Sequence, residues 1–269
     1  MARNILSAIV KRKAADVERV RREISLKEIR RRAEESAPPR SFSRQFTGKN
    51  RSAVNIIAEV KRASPSKGSI RPDLDPAALA GAYESGGAAA ISVLTDMPYF
   101  KGSLADLARA RAVVDLPVLR KDFIVSAYQV YESRAWGADA ILLIVRILSP
   151  GQLQMLFRLS KSLGMDVLLE IHTESELNPA IDIGARLIGI NNRNLKSFET
   201  DTRTAVRLAN RIGPDQVPVA ASGISCRADI EFNLAAGINN FLIGEHLVRA
   251  KDPAKMLQNL TLRRLPHAN

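Results

Sequence analysis

The sequence predicts an α/β fold, a single-domain (β/α)8 TIM barrel with an N-terminal helical extension, and three observations carry that prediction. From Ile56 onward, eight short β-rich runs alternate with stretches that each have room for one helix and two short loops. Gly86-Gly87, Gly137, Gly164, Gly184 and Gly237 fall just before strand runs, where the C-cap of a preceding helix belongs. A chain of 269 residues, 46% hydrophobic, also has the size of an α/β barrel folded as one domain. A doubly wound open sheet is the alternative, disfavoured because the first βα turn lacks GxGxxG.

Residues 1–50 form the expected extension. Ile5, Ile9, Val17, Val20 and Ile24 lie close to one side of a 3.6-residue period, which predicts a first amphipathic helix. Ser25-Leu26-Lys27-Glu28 has the spacing of a capping box, with Ile24 and Ile29 placed as a hydrophobic staple. Leu26, Ile29 and Ala33 continue the stripe of a second helix, and Ala37-Pro38-Pro39 ends it. Neither helix has anything of its own to bury that stripe against, so both are expected to pack on the catalytic barrel of residues 51–269. Its strands are expected at Ile56–Lys61, Ala89–Leu94, Pro117–Lys121, Asp139–Val145, Asp166–Ile171, Arg186–Asn191, Val217–Ser222 and Asn240–Gly244.

Composition excludes several classes. The single cysteine, Cys226, allows neither an internal disulfide nor a cysteine-based metal site, which fits a reducing compartment. No apolar run approaches a membrane-spanning length, and Asp16, Glu18 and Glu23 argue against a signal or transit peptide, so a cytoplasmic location is expected. The net charge of +12 raises nucleic acid as a partner. Residues 1–50 hold 14 Lys and Arg against 6 Asp and Glu, so most of the excess sits there, without interleaved aromatics or a nucleic-acid motif. A solvated basic helix face is the reading adopted.

The chemistry is expected at the C-terminal ends of the strands. The stretch IIAEVKRASPSKGSI (Ile56–Ile70) puts Glu59 and Lys61 on one face of the first strand, where two buried charges must pair or meet a charged ligand; Pro65 and Gly68 then break the strand. The other ends supply Lys121 with Asp122, Glu170, Asn191, Arg193 and Ser222. Three cations (Lys61, Lys121, Arg193) against two carboxylates (Glu59, Glu170) imply an anionic small molecule, whereas simple ion pairs plugging the barrel would scatter over both ends. Ser222-Gly223 and Gly244-Glu245 follow the last two strands, where backbone N–H groups commonly bind phosphate, with the Glu245 carboxylate turned away. His172, His246 and His267 are read as structural.

These residues fall in motifs similar to those of the indole-3-glycerol-phosphate synthase family. The matching stretches are IIAEVKRASPSKG, SVLTD and YFKGS (within Ser92–Ser103), LRKDFIV (Leu119–Val125), QVYESRAWGADAILLI (Gln129–Ile144), LLEIHTESEL (Leu168–Leu177), IGINNRNL (Ile188–Leu195), ASGI (Ala221–Ile224) and LIGEHLV (Leu242–Val248). The resemblance covers nearly the whole chain, including the two leading helices. It implies a lyase of tryptophan biosynthesis that closes 1-(2-carboxyphenylamino)-1-deoxyribulose 5-phosphate to indole-3-glycerol phosphate, releasing carbon dioxide and water, with no metal or organic cofactor.

The resemblance also implies roles. Lys121 would be the general acid, Glu170 the base, Lys61 the group holding the substrate carboxylate, and Glu59 the residue orienting both lysines; which lysine assists dehydration stays open. Asn191 and Arg193 would bind the sugar portion, while Ser64, Ser222, Gly223, Gly244 and Glu245 would contact the phosphate and ribulose. Phe100, Phe123, Leu142 and Ile144 would wall the aromatic ring. Two positions depart from the family pattern: Ala221 stands where many members carry glutamate, and Asn194 replaces a frequent aspartate. The expected partner is the phosphorylated substrate alone, without nucleic acid or membrane, acting on a monomer, with a dimer as the alternative. The rival enzyme reading is phosphoribosylanthranilate isomerase, which would not need Lys61, Lys121 and Glu170 together.

Overall fold

In a computed structural model, residues 5–47, 53–194 and 199–261 are described; the 50/51 boundary, Leu195 and His267 lie outside them. The chain opens with α1 (Ile5–Glu23) and α2 (Leu26–Glu35). Ser25 caps α2, its Oγ accepting from the Glu28 N–H at 3.2 Å. The reciprocal half of the expected capping box is absent, because the Glu28 carboxylate accepts from Arg31 and Arg32 at 2.9 and 2.8 Å instead. Ser25→Ala is therefore expected to cost about 1 kcal/mol in denaturant titration, the usual value of a lost N-cap.

Ile24, Ile29, Val17 and Val20 pack together with Tyr128, Tyr131 and Ala135, so the predicted apolar side meets the barrel. Leu26 does not join them: those side chains fill the contact and leave it 42% exposed. Tyr128 also donates its hydroxyl to the Ile24 carbonyl at 3.1 Å.

Eight strands follow where the alternation placed them: β1 (Asn55–Val60), β2 (Ala90–Leu94), β3 (Val118–Lys121), β4 (Ala140–Ile144), β5 (Asp166–Ile171), β6 (Leu187–Asn191), β7 (Val217–Ala221) and β8 (Asn240–Ile243). They close into a parallel barrel in which β1 pairs with both β2 and β8. Along β1 the two-residue period separates Ile56, Ala58 and Val60, which pack toward the helices, from Ile57 inside the barrel. After β1 the chain does not simply loop: Ala63–Ser64 folds back against Gly68–Ser69 in a small antiparallel pair, since Pro65 stops the strand and Gly68 accepts a left-handed φ of 63°.

The helices between the strands are α3 (Pro76–Ser85), α4 (Met97–Phe100) and α5 (Leu104–Ala112), α6 (Ala127–Ala135), α7 (Pro150–Ser162), α8 (Leu177–Asp182), α9 (Arg203–Ala209) and α10 (Arg227–Leu234). The short α11 (Glu245–Arg249) and α12 (Pro253–Thr261) end the described chain. Gly87, Gly137, Gly164, Gly184 and Gly237 have positive φ in the turns that lead into strands, as their spacing predicted.

One end of the barrel is closed by the extension. Phe42 and Phe46 are fully buried in the interior cluster, their ring centroids 5.1 Å apart. Backbone N–H groups beside them are held by aspartates at the N-terminal ends of strands: Arg40 donates to Asp139 and Ser43 to Asp166, both at 2.8 Å. Chemistry is left to the opposite rim. No described helix is long and apolar enough to cross a membrane.

Candidate active site

At the C-terminal rim the strand ends surround a cavity of about 420 Å³. Glu59, Lys61, Lys121, Glu170 and Asn191 line it together with Arg193, Ser64, Ser222, Phe100, Phe123, Leu142, Ile144, Gly223, Gly244 and Glu245. Every site residue expected from the sequence thus meets in one place.

Two ion pairs organise its floor. Lys61 Nζ lies 2.5 Å from Glu59 Oε1, the same-face pairing that their two-residue spacing requires. Lys121 Nζ, at the end of β3, lies 3.5 Å from Glu170 Oε2 on β5. Burial works against the ammonium of Lys121, but Glu170 and Glu59 more than offset it and its pKa is raised. Burial equally works against the charge on Glu170, yet Lys121, His172 and the amide of Asn191 hold its pKa down. The pair is an ammonium able to give a proton beside a carboxylate able to take one.

Asn191 ties the ring of strand ends together. Its amide donates to Glu170 at 3.2 Å, while its oxygen accepts from the Ser222 hydroxyl at 2.8 Å and the Arg193 N–H at 3.0 Å. Arg193 reaches across the mouth to Ser66 Oγ at 2.8 Å, so it braces the loop after β1. Ser222 and Gly223 both have left-handed φ, 68° and 78°, which turns the chain sharply at the end of β7. Glu245 faces Arg249 at 3.1 Å, the carboxylate occupied away from any anion at this turn.

Gly244 is needed for a second reason besides the one its turn suggested. A Cβ there would overlap the Glu59 carboxylate and stand 3.0 Å from Lys61 Nζ. Gly244→Ala is expected to displace that pair and lower kcat/KM about tenfold or more, with an unchanged circular dichroism spectrum.

A model of the family described as indole-3-glycerol phosphate synthase matches residues 6–260. The indole-3-glycerol phosphate synthase of Desulfosudis oleivorans is 55% identical over 96% of this chain and 98% of its own. That of Syntrophobacter fumaroxidans is 50% identical over 96% and 97%, respectively. The chain belongs to the indole-3-glycerol phosphate synthase family. Its activity is that of a decarboxylating lyase of tryptophan biosynthesis. Among solved structures, the thiamine phosphate pyrophosphorylase of Pyrococcus furiosus shares the barrel alone, with a TM-score of 0.58 at 15% identity over 77% of this chain and 93% of that one.

Measured against the indole-3-glycerol phosphate synthase pattern, the cavity includes groups the sequence reading passed over. Ile5, Leu6 and Ile9 of α1 line it, so the extension reaches over the mouth. Lys13, one turn further, is buried between Asp96 and Asp122 at 2.6 and 2.8 Å. The signal was there: Lys13 interrupts the apolar stripe between Ile9 and Val17, four residues from each. Lys67, Arg249 and His246 also line the cavity, and Asp122 and Glu245 in the same lining balance the two added cations, so the excess of one positive charge read from the strand ends is kept. Ala221 contributes only a methyl group, and the neighbouring Ser222 hydroxyl finds its acceptor in Asn191.

Proposed function

We propose that Lys121, Lys61 and Glu170 carry out the family's ring closure on 1-(2-carboxyphenylamino)-1-deoxyribulose 5-phosphate. The observation that carries this reading is the meeting of two ammonium groups and one carboxylate in a single cavity. Lys121 protonates the ketone oxygen as the aryl carbon attacks. The carboxylate held by Lys61 then departs as carbon dioxide, its electrons flowing into the substrate's own iminium. Lys61 gives a proton to the remaining hydroxyl, which leaves as water, and Glu170 takes the ring proton as the double bond forms. Glu59 orients Lys61, and Asn191 fixes Glu170.

Arg193 and Ser64 bind the sugar portion, and Ser222, Gly223, Gly244 and Glu245 hold the phosphate through hydroxyl and backbone N–H groups. Phe100 and Phe123, whose ring centroids are 6.2 Å apart, wall the aromatic ring with Leu142 and Ile144. The residues present supply acid, base and electrostatic support for these steps without a further group. Residues 1–50 serve as an extension of the catalytic barrel 51–269, which acts as a cytoplasmic monomer.

Nucleic acid is no partner in this reading: the arginines of α1 and α2 pair along their own helices, as in Arg19–Glu23, Arg30–Glu34 and Arg31–Glu35, which supports a solvated face. Supplying the carboxyphenylamino substrate and following indole fluorescence tests the function. A fluorescent product is expected; an isomerised, non-indolic product would overturn it.

A further inference from the structure

We propose that His172 is a positioning residue for Glu170, a ring that donates to Glu170 and Glu176 at once and so holds and orients the Glu170 carboxylate. The inference rests on Glu170 being the base.

The ring sits at the rim just past β5, and its side chain is only 4% exposed. Its Nε2 lies 3.4 Å from Glu170 Oε1 and its Nδ1 lies 3.6 Å from Glu176 Oε2. Among the described residues neither nitrogen has a hydrogen-bond partner, although both are buried. Two buried polar atoms left unbonded are costly, and each of these faces an oxygen a few tenths of an ångström beyond bonding distance. Only a ring protonated on both nitrogens can donate to both carboxylates. A neutral ring turns a lone pair on one of them.

The neighbours complete an alternation of charge. Among the described residues, Lys121 stands behind Glu170, and Arg146 stands 2.9 Å from Glu176. The order Lys121, Glu170, His172, Glu176, Arg146 runs positive, negative, positive, negative, positive when the ring is protonated. Burial works against the charge on Glu176, but His172 and Arg146 outweigh it and hold its pKa at about 2, so the outer anchor keeps its charge. Three of the five contribute nothing to the proposed steps except through Glu170, which places them behind the base rather than against substrate.

His172→Gln keeps a similar reach and both hydrogen-bonding senses but never carries charge. In the purified full chain, kcat is expected to fall about tenfold with KM changed less than about twofold. The acidic limb of the kcat–pH profile should move up by about half a unit. Glu170 loses a neighbour that favours its charged form, its pKa rises, and the base is protonated at higher pH. Glu176→Gln, which loosens the ring without removing it, should shift the same limb in the same direction by less.

A His172→Gln enzyme with wild-type kcat and an unshifted limb overturns the proposal. So does a loss confined to KM or melting temperature, since packing alone would produce it. If His172→Gln does not fold, an unshifted limb in Glu176→Gln has the same force. Glu170→Gln separates the two levels. Normal turnover in that variant removes the base assignment and this inference together; an inactive Glu170→Gln beside an unaltered His172→Gln removes this inference alone.

Discussion

Replacing Lys121 with methionine is expected to lower kcat by about a thousandfold, within the range lost when a general acid is deleted. Methionine has similar length and keeps the apolar stem, but it cannot protonate the ketone oxygen. Lys121 also holds Glu170 in its charged form, so the variant weakens the base as it deletes the acid. The fold should survive, because Lys121 is at the open end of β3 and the interior cluster lies below it. Glu170 keeps Asn191 and His172 as neighbours. Product fluorescence and a thermal melt on the same preparation check this. Near-normal turnover in a folded variant would remove the assigned role.

The largest expected loss of stability comes from Lys13→Met, about 3 kcal/mol at neutral pH by the general cost of removing one partner from a buried ion pair. Lys13 is 8% exposed and stands between two buried carboxylates, Asp96 and Asp122. Asp122 keeps Arg120 at 3.0 Å and the Thr95 hydroxyl at 2.7 Å, but among the described residues Asp96 has no second cation. The dependence on pH has a definite sign. Burial opposes the charge on Asp122, while Arg120 and Lys13 outweigh it and push its pKa below the usual 3.8.

The Asp122 contribution is therefore present above pH 3.8 and is lost as the pH falls through the depressed value. Burial also opposes the charge on Lys13, and Asp122 and Asp96 outweigh it, raising its pKa above 10.5. Its contribution is present below pH 10.5 and is lost as the pH climbs through the raised value. The stability gap between native and Lys13→Met protein should thus stay level through neutral pH and shrink only at the two extremes. Urea titrations at about pH 2.5, 7 and 11.5 measure it, and equal midpoints for the two proteins at pH 7 would show that the triad contributes nothing.

Much of this was legible without coordinates. The eight strands could be read because a parallel barrel strand is a short apolar run bracketed by turn residues, and the helices between them announce their ends with glycine. Glu59 and Lys61 could be read because a charged pair at alternate positions of an apolar strand has few explanations other than a site. The loop after β1 was read as a simple break, since two-residue strands such as Ala63–Ser64 leave no periodic trace. The close approach of Gly244 to Glu59, 185 residues away in the chain, left no trace in its turn sequence.

Periodicity and residue chemistry, acting over a few turns of chain, determined the strand order, the end of the barrel that carries charge and the residues facing the cavity. Those are local properties, and a strand's two faces are already written in alternate residues. Which distant groups share a contact was decided only by barrel closure. It brought Lys13 from the first helix between Asp96 and Asp122, and it set His172 between Glu170 and Glu176 with Lys121 and Arg146 behind them. Charge pairing acts over a few ångströms of space whatever the separation in sequence, so these neighbours exist only once the cylinder is shut.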